Sequence, residues 1–117
     1  MKIKYLSILA IFIATFSFAQ EETQLPKINT IEFKVLGICD MCKERIENAL
    51  DLPGIKFAEW NKETDICTVI YKTSKITEIQ IHKALAEAGH ETSMLKPTRE
   101  KYNALPNCCK YEEIEKH

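Results

Sequence analysis

The chain is short of glycine and proline, with three and four among 117 residues. That excludes a collagen-like or low-complexity linker protein. It also lacks an excess of positive charge. Lys and Arg number 16 against 17 Asp and Glu, a formal net charge of -1. Nothing in that balance would neutralise a run of phosphates, so nucleic acid is excluded as a partner. No Ser-His-Asp set, paired carboxylates or phosphate-binding loop is apparent. With 45% hydrophobic and 28% charged residues, the composition is that of one small globular domain. Cysteine, by contrast, is plentiful, with five residues. Cys39 and Cys42 form a Cys-x-x-Cys motif, Cys108 and Cys109 are adjacent, and Cys67 stands alone.

Residues 1–19 read as an address rather than as part of a fold. Lys2 and Lys4 open the segment, and 14 residues from Tyr5 to Phe18 carry no charge. Ser17 and Ala19 are small residues suited to cleavage before Gln20. The apolar run is too short for a membrane span, which needs roughly 20 residues. The expectation is a cleavable signal peptide, export to the periplasm or cell envelope, and no stable membrane insertion afterwards. The mature chain would carry 14 positive and 17 negative charges, net -3. Thiols tend to be oxidised outside the cytoplasm. An odd number of cysteines suits a pure disulfide framework poorly there.

After a lead-in over 20–29, Thr30 to Leu36 alternates apolar and polar residues, as a half-buried strand does. A loop follows over Gly37 to Cys42. Cys42, Ile46, Ala49 and Leu50 then recur at helical spacing, with Asp40 as the expected N-cap and Pro53-Gly54 as the stop. Strands are expected over 55–61 and 66–71, joined as a hairpin through the polar turn 61–65. A second helix is expected over 78–88, capped by Thr77 or Ser74, with Gly89 ending it. Its inner face is Ile81, Ala84, Leu85 and Ala88, with His82 outward. Residues 91–96 can make a fourth strand. The order is βαββαβ, an α+β ferredoxin-like sandwich with a four-stranded antiparallel sheet and two helices on one face. This domain occupies 30–97, and 98–117 is a polar tail, its Tyr111-to-His117 end solvated. In that topology the Cys-x-x-Cys loop, the 61–65 turn and the Gly89-His90 loop share one end.

Cys39 and Cys42 span the start of the first helix. Unsatisfied N–H groups and the positive helix end lower a thiol pKa from about 8.5 toward neutrality. Lys43 and Arg45 add positive charge nearby. Two thiolates at this spacing can grip one soft ion. Cu(I) accepts low coordination, whereas structural Zn(II) wants four ligands. The spacing also fits a redox pair or an ordinary structural disulfide. Cys67 alternates with Val69 and Tyr71 and points into the core as a small hydrophobe.

Ile31 to about Lys96 resembles a heavy-metal-associated domain. The matching residues are Cys39-Asp40-Met41-Cys42, Leu52-Pro53-Gly54-Ile55, Ala58 with Trp60-Asn61, Val69 with Tyr71, and the run from Ile81 through Ala84, Leu85 and Ala88 to Gly89-His90. That family includes copper chaperones, modules of copper-transporting ATPases and periplasmic mercury-binding proteins. The resemblance implies Cys39 and Cys42 as metal ligands. It implies Cu(I) as the first candidate ion, with Hg(II) and Zn(II) as alternatives. The implied partner is a metal-transporting membrane protein or another metal-binding domain, with a metal-bridged dimer as a further arrangement. The family usually has Gly-Met-Thr before the first cysteine, its Met packed under the loop. Leu36, Gly37 and Ile38 stand here, so Leu36 or Ile38 is expected to fill that space. His90 replaces an aromatic residue and is a candidate third ligand.

Cys108 and Cys109 are further candidate ligands, or one could pair with Cys39 or Cys42 on oxidation. A full fourth strand would end about 20 Å from the loop. The 11 residues from Pro97 to Cys108 span about 35 Å extended but only about 16 Å as a helix. The expectation is that the tail returns to the loop only if unwound. The rival functional class is a thiol–disulfide oxidoreductase using Cys39 and Cys42. A third is an interaction module held by disulfides.

Overall fold

The computed structural model describes residues 27–115. The expected signal peptide over 1–19 and most of the lead-in lie outside the described residues. Three strands, β1 (Ile28–Lys34), β2 (Ile55–Trp60) and β3 (Ile66–Lys72), form one antiparallel sheet in the order β1-β3-β2. Helices α1 (Asp40–Ala49) and α2 (Glu78–Glu87) connect them in the order βαββα. The alternation of β3 buries Cys67, Val69 and Tyr71 as its period of two requires. Ile46 from α1 and Ile81 and Leu85 from α2 complete the same core.

Thr77 caps α2 in a reciprocal box. Its hydroxyl accepts from Gln80 N–H, and the Gln80 side chain accepts from Thr77 N–H. At α1 the expected cap is displaced by one residue. Cys39, not Asp40, is the N-cap, and it makes no side-chain capping bond. Asp40 instead sits in the first turn and pairs with Lys62 of the 61–65 turn at 3.1 Å.

The expected fourth strand does not form. A single antiparallel bridge, Val35 to Thr92, is all that remains of it. The cause is local. The Thr92 hydroxyl accepts from the N–H groups of Met94 and Leu95, and Thr92 N–H donates to Leu95 O at 2.8 Å. This side-chain turn competes with the ladder, and Pro97 removes a further donor. The sheet therefore has three strands rather than four. The chain also stays beside the end of β1 instead of crossing to the far end of the domain.

His82 is likewise not on the surface. It is fully buried, its Nδ1 2.7 Å from Thr92 Oγ1 and its ring 4.1 Å from that of Phe33. The turn at Thr92 thus gives a buried imidazole its polar partner.

Trp60, at the end of β2, supports the loop before α1. Its side chain is fully buried, and its Nε1 donates to Val35 O at 2.9 Å. Its backbone N–H donates to the Glu47 carboxylate, and its carbonyl accepts from Lys43 Nζ. A Cβ on Gly37 would stand 2.8 Å from Trp60 Cζ2 and 3.1 Å from Cys42 Cβ. Gly37 is thus glycine because the indole lies directly against its backbone. The space expected for Leu36 or Ile38 is filled by Trp60.

Gly37→Ala should destabilise the fold by about 1–3 kcal/mol through overpacking. It should also change the emission of Trp60, the single tryptophan; an unaltered spectrum and stability would contradict this packing. Burial holds the His82 pKa below 6.5, Glu78 only partly opposing it. The unfolded chain therefore binds the proton more readily. The stability is present above about pH 6.5 and is lost as pH falls below it. Urea denaturation should show wild type weakening from about pH 7.5 to about pH 5.5, and His82→Gln weakening less. Equal slopes would remove His82 from this effect.

Candidate metal centre

The loop before α1 projects Cys39 at the N-cap and Cys42 in the first turn. Their sulfurs are 3.7 Å apart. Cys42 is fully buried, whereas Cys39 is partly exposed. Burial raises the Cys39 pKa, but the N–H groups of Cys42 and Met41 and the thiols of Cys42 and Cys108 outweigh it. The net result is a thiol held below its ordinary value. That is the direction expected at a helix start. Lys43 contributes little to it, because its ammonium bonds Glu47 and Trp60 O. The Arg45 guanidinium is likewise turned to Ala88 O, at 3.1 Å.

The tail reaches this loop, and it does so while folded. Helix α3 (Arg99–Asn103) and a 3₁₀ turn over Asn107–Cys109 carry it there. An unwound tail is unnecessary because the missing fourth strand leaves the chain at the right end of the domain. The Sγ atoms of Cys39, Cys108 and Cys109 all lie within 4.8 Å of one another. The Cys39 thiol also donates to Cys108 O at 3.5 Å. Cys109 is fully buried and Cys108 exposed. Burial, then the adjacent Cys42 sulfur, push the Cys109 thiol well above its ordinary pKa. Met41, 48% exposed between the two loop cysteines, places its thioether 3.5 Å from Cys108 Sγ. Its position inside the motif was the available signal for a fifth sulfur.

Two tyrosines dock the tail. Tyr111 Oη donates to Gly89 O at 3.0 Å and accepts from Glu91 N–H at 3.1 Å. Its ring stacks on His90 and meets Tyr102 edge-on, with centroids 6.1 and 5.1 Å away. Tyr102 is buried, and its hydroxyl accepts from Glu112 N–H. Gly89 has φ +97°, and a Cβ there would lie 2.8 Å from Lys101 O. Its lack of a side chain lets α3 approach. Tyr111 is therefore an anchor, not the start of a solvated end.

His90 is placed beneath this contact. It is fully buried, with Nδ1 2.9 Å from Leu36 O. Burial lowers its pKa, which favours the neutral ring. It does not belong to the sulfur group within 4.8 Å. Cys67 is remote in role as well as in sequence. It is fully buried in β3, and burial pushes its thiol up to about 12, as an inert core residue requires.

The sequence profile of the heavy-metal-associated domain matches residues 32–91, just over half of the chain. No match emerges among curated proteins. Among solved structures, the chain is similar to the CopZ metallochaperone at 29% identity and TM-score 0.53, covering 55% of this chain and 98% of that one. It is similar to oxidised MerP from Ralstonia metallidurans CH34 at 25% identity and TM-score 0.55, covering 57% and 96%. It is also similar to the water-soluble region of the P-type ATPase CopA from Bacillus subtilis at 28% identity and TM-score 0.55, covering 58% and 46%. The profile ends before the tail, so Cys108 and Cys109 lie beyond the matched domain. The chain belongs to the heavy-metal-associated family, a non-enzymatic family of soft-metal-binding domains, and it carries that family's Cys-x-x-Cys motif as Cys39 and Cys42.

Proposed function

We propose that this protein is a carrier of a soft metal ion, Cu(I) in preference to Hg(II) or Zn(II), and that Cys39 and Cys42 capture it. The pair of sulfurs 3.7 Å apart at the start of α1, one buried and one partly exposed, supports this reading most directly. Thiolates select soft ions, and Cu(I) accepts two or three of them. Each thiol loses its proton on binding, a step already eased at Cys39 by the N–H groups around it. The partly exposed Cys39 leaves room for an incoming thiolate to add before the old bond breaks. That is the chemistry of handing an ion on rather than storing it.

The recipient would be a metal-binding domain of similar chemistry, such as one belonging to a metal-transporting membrane protein. Similarity to the soluble region of a P-type ATPase supports that class of partner. The N-terminal segment supports export, with cleavage after Ala19 and work in the periplasm or envelope. The oxidoreductase reading uses the same two sulfurs, but membership of a non-enzymatic family favours carriage.

An anaerobic Cu(I) titration of the reduced protein, read by native mass spectrometry, tests the proposal. One copper should bind tightly, and Cys39→Ser with Cys42→Ser should abolish it. Cys67→Ser should keep the copper and lose stability by about 1–3 kcal/mol, the cost of burying a hydroxyl. Copper held no more tightly than by a free dithiol would contradict the carrier.

A further inference from the structure

Resting on that reading of Cys39 and Cys42, we propose that the tail supplies Cys108 and Cys109 as additional thiolate ligands to the same ion. The loop would then be a closed, all-sulfur centre within one chain. The distances suit a shared ion. A tetrahedral ion with metal–sulfur bonds near 2.3 Å holds its sulfurs about 3.8 Å apart. Cys39 and Cys42 already stand 3.7 Å apart. Cys39, Cys108 and Cys109 all lie within 4.8 Å of one another. Closing those three sulfurs around an ion takes a movement of about 1 Å, which side-chain rotation can supply, and Cys42, outside that group, joins through its 3.7 Å contact with Cys39.

The approach of the tail is built rather than incidental. The tail is held by Tyr111 on Gly89 and Glu91, and by buried Tyr102 and Leu105. These contacts do not involve the cysteines. They fix the tail's position before any ion arrives, so the ordering cost of extra ligands is met by the fold. The 3₁₀ turn then directs one sulfur inward and one outward, Cys109 buried and Cys108 exposed.

The chemistry of the donors points the same way. Met41 Sδ stands 3.5 Å from Cys108 Sγ, so the solvent side of the group is also sulfur. A thiolate and thioether surround favours Cu(I) over harder ions. The exposed Cys108 is the ligand an incoming partner thiolate meets first. As that thiolate bonds the ion, Cys108 dissociates and takes a proton from solvent, and further partner thiolates then replace the remaining sulfurs, each of which takes up a proton as it leaves.

The test uses the reduced protein and one equivalent of Cu(I). In wild type, iodoacetamide should alkylate the exposed Cys108 readily without metal, and copper should suppress that reaction as strongly as at Cys39. Mass mapping reads both sites, and no substitution is involved. Separately, Cys108→Ser with Cys109→Ser should weaken copper retention against a Cu(I) chelator. Loss of outer-shell partners alone costs roughly 10–100-fold, and loss of ligands should cost no less. Cys108 that stays reactive while copper protects Cys39 overturns the tail proposal and leaves the carrier intact. Copper retained undiminished by the Cys39→Ser, Cys42→Ser variant overturns the carrier and this proposal with it.

Discussion

The contact between the Trp60 indole and the backbone of Gly37 sets the height and shape of the loop on which the cysteines sit. Trp60 is tied at three polar points, to Val35 through its ring and to Glu47 and Lys43 through its backbone. Those ties join the end of β1, the body of α1 and the end of β2. Full burial of a large aromatic side chain contributes on the order of 2–3 kcal/mol of favourable transfer. Here it does so against Gly37, whose backbone also lies close to the buried Cys42. The loop is thus held from below by packing. Cys39 remains at the helix start, in reach of N–H groups and of solvent.

From above, the loop is met by a tail whose route follows from a strand that fails to form. Thr92 turns the chain after one bridge to Val35, and its hydroxyl serves His82 at the same time. The chain is then near enough for α3 to pack on Gly89 and for Tyr111 to clamp the 89–91 backbone. The result is an arrangement of sulfurs supported independently on both sides. Preorganisation of this kind lowers the ordering cost of binding. It also gives the proposed ligands unequal exposure, which orders their release.

Much of this was legible in the sequence. Period-two alternation located β1 and β3, and Cys67, Val69 and Tyr71 are buried as their phase required. Thr77 and Gly89 bounded α2, and the Cys-x-x-Cys motif marked the loop. The failures share a cause. The stretch 91–96 has a strand's composition, and nothing local reveals that the Thr92 hydroxyl will take two backbone N–H groups. Once that turn forms, His82 gains a buried partner and the tail gains a short route. Both are tertiary consequences invisible to spacing. Trp60 beneath Gly37 was missed for a similar reason: residues 23 apart meet only after the sheet has assembled.

The proposed centre holds one soft ion by sulfurs from both the loop and the tail of a single chain. X-ray absorption at the copper edge of the reduced, Cu(I)-loaded protein, with its mass in solution measured alongside, tests this directly. The expected result is a monomer with at least three sulfur neighbours around copper. Two sulfur neighbours in a monomer would contradict it, as would a dimer whose extra sulfurs come from a second chain.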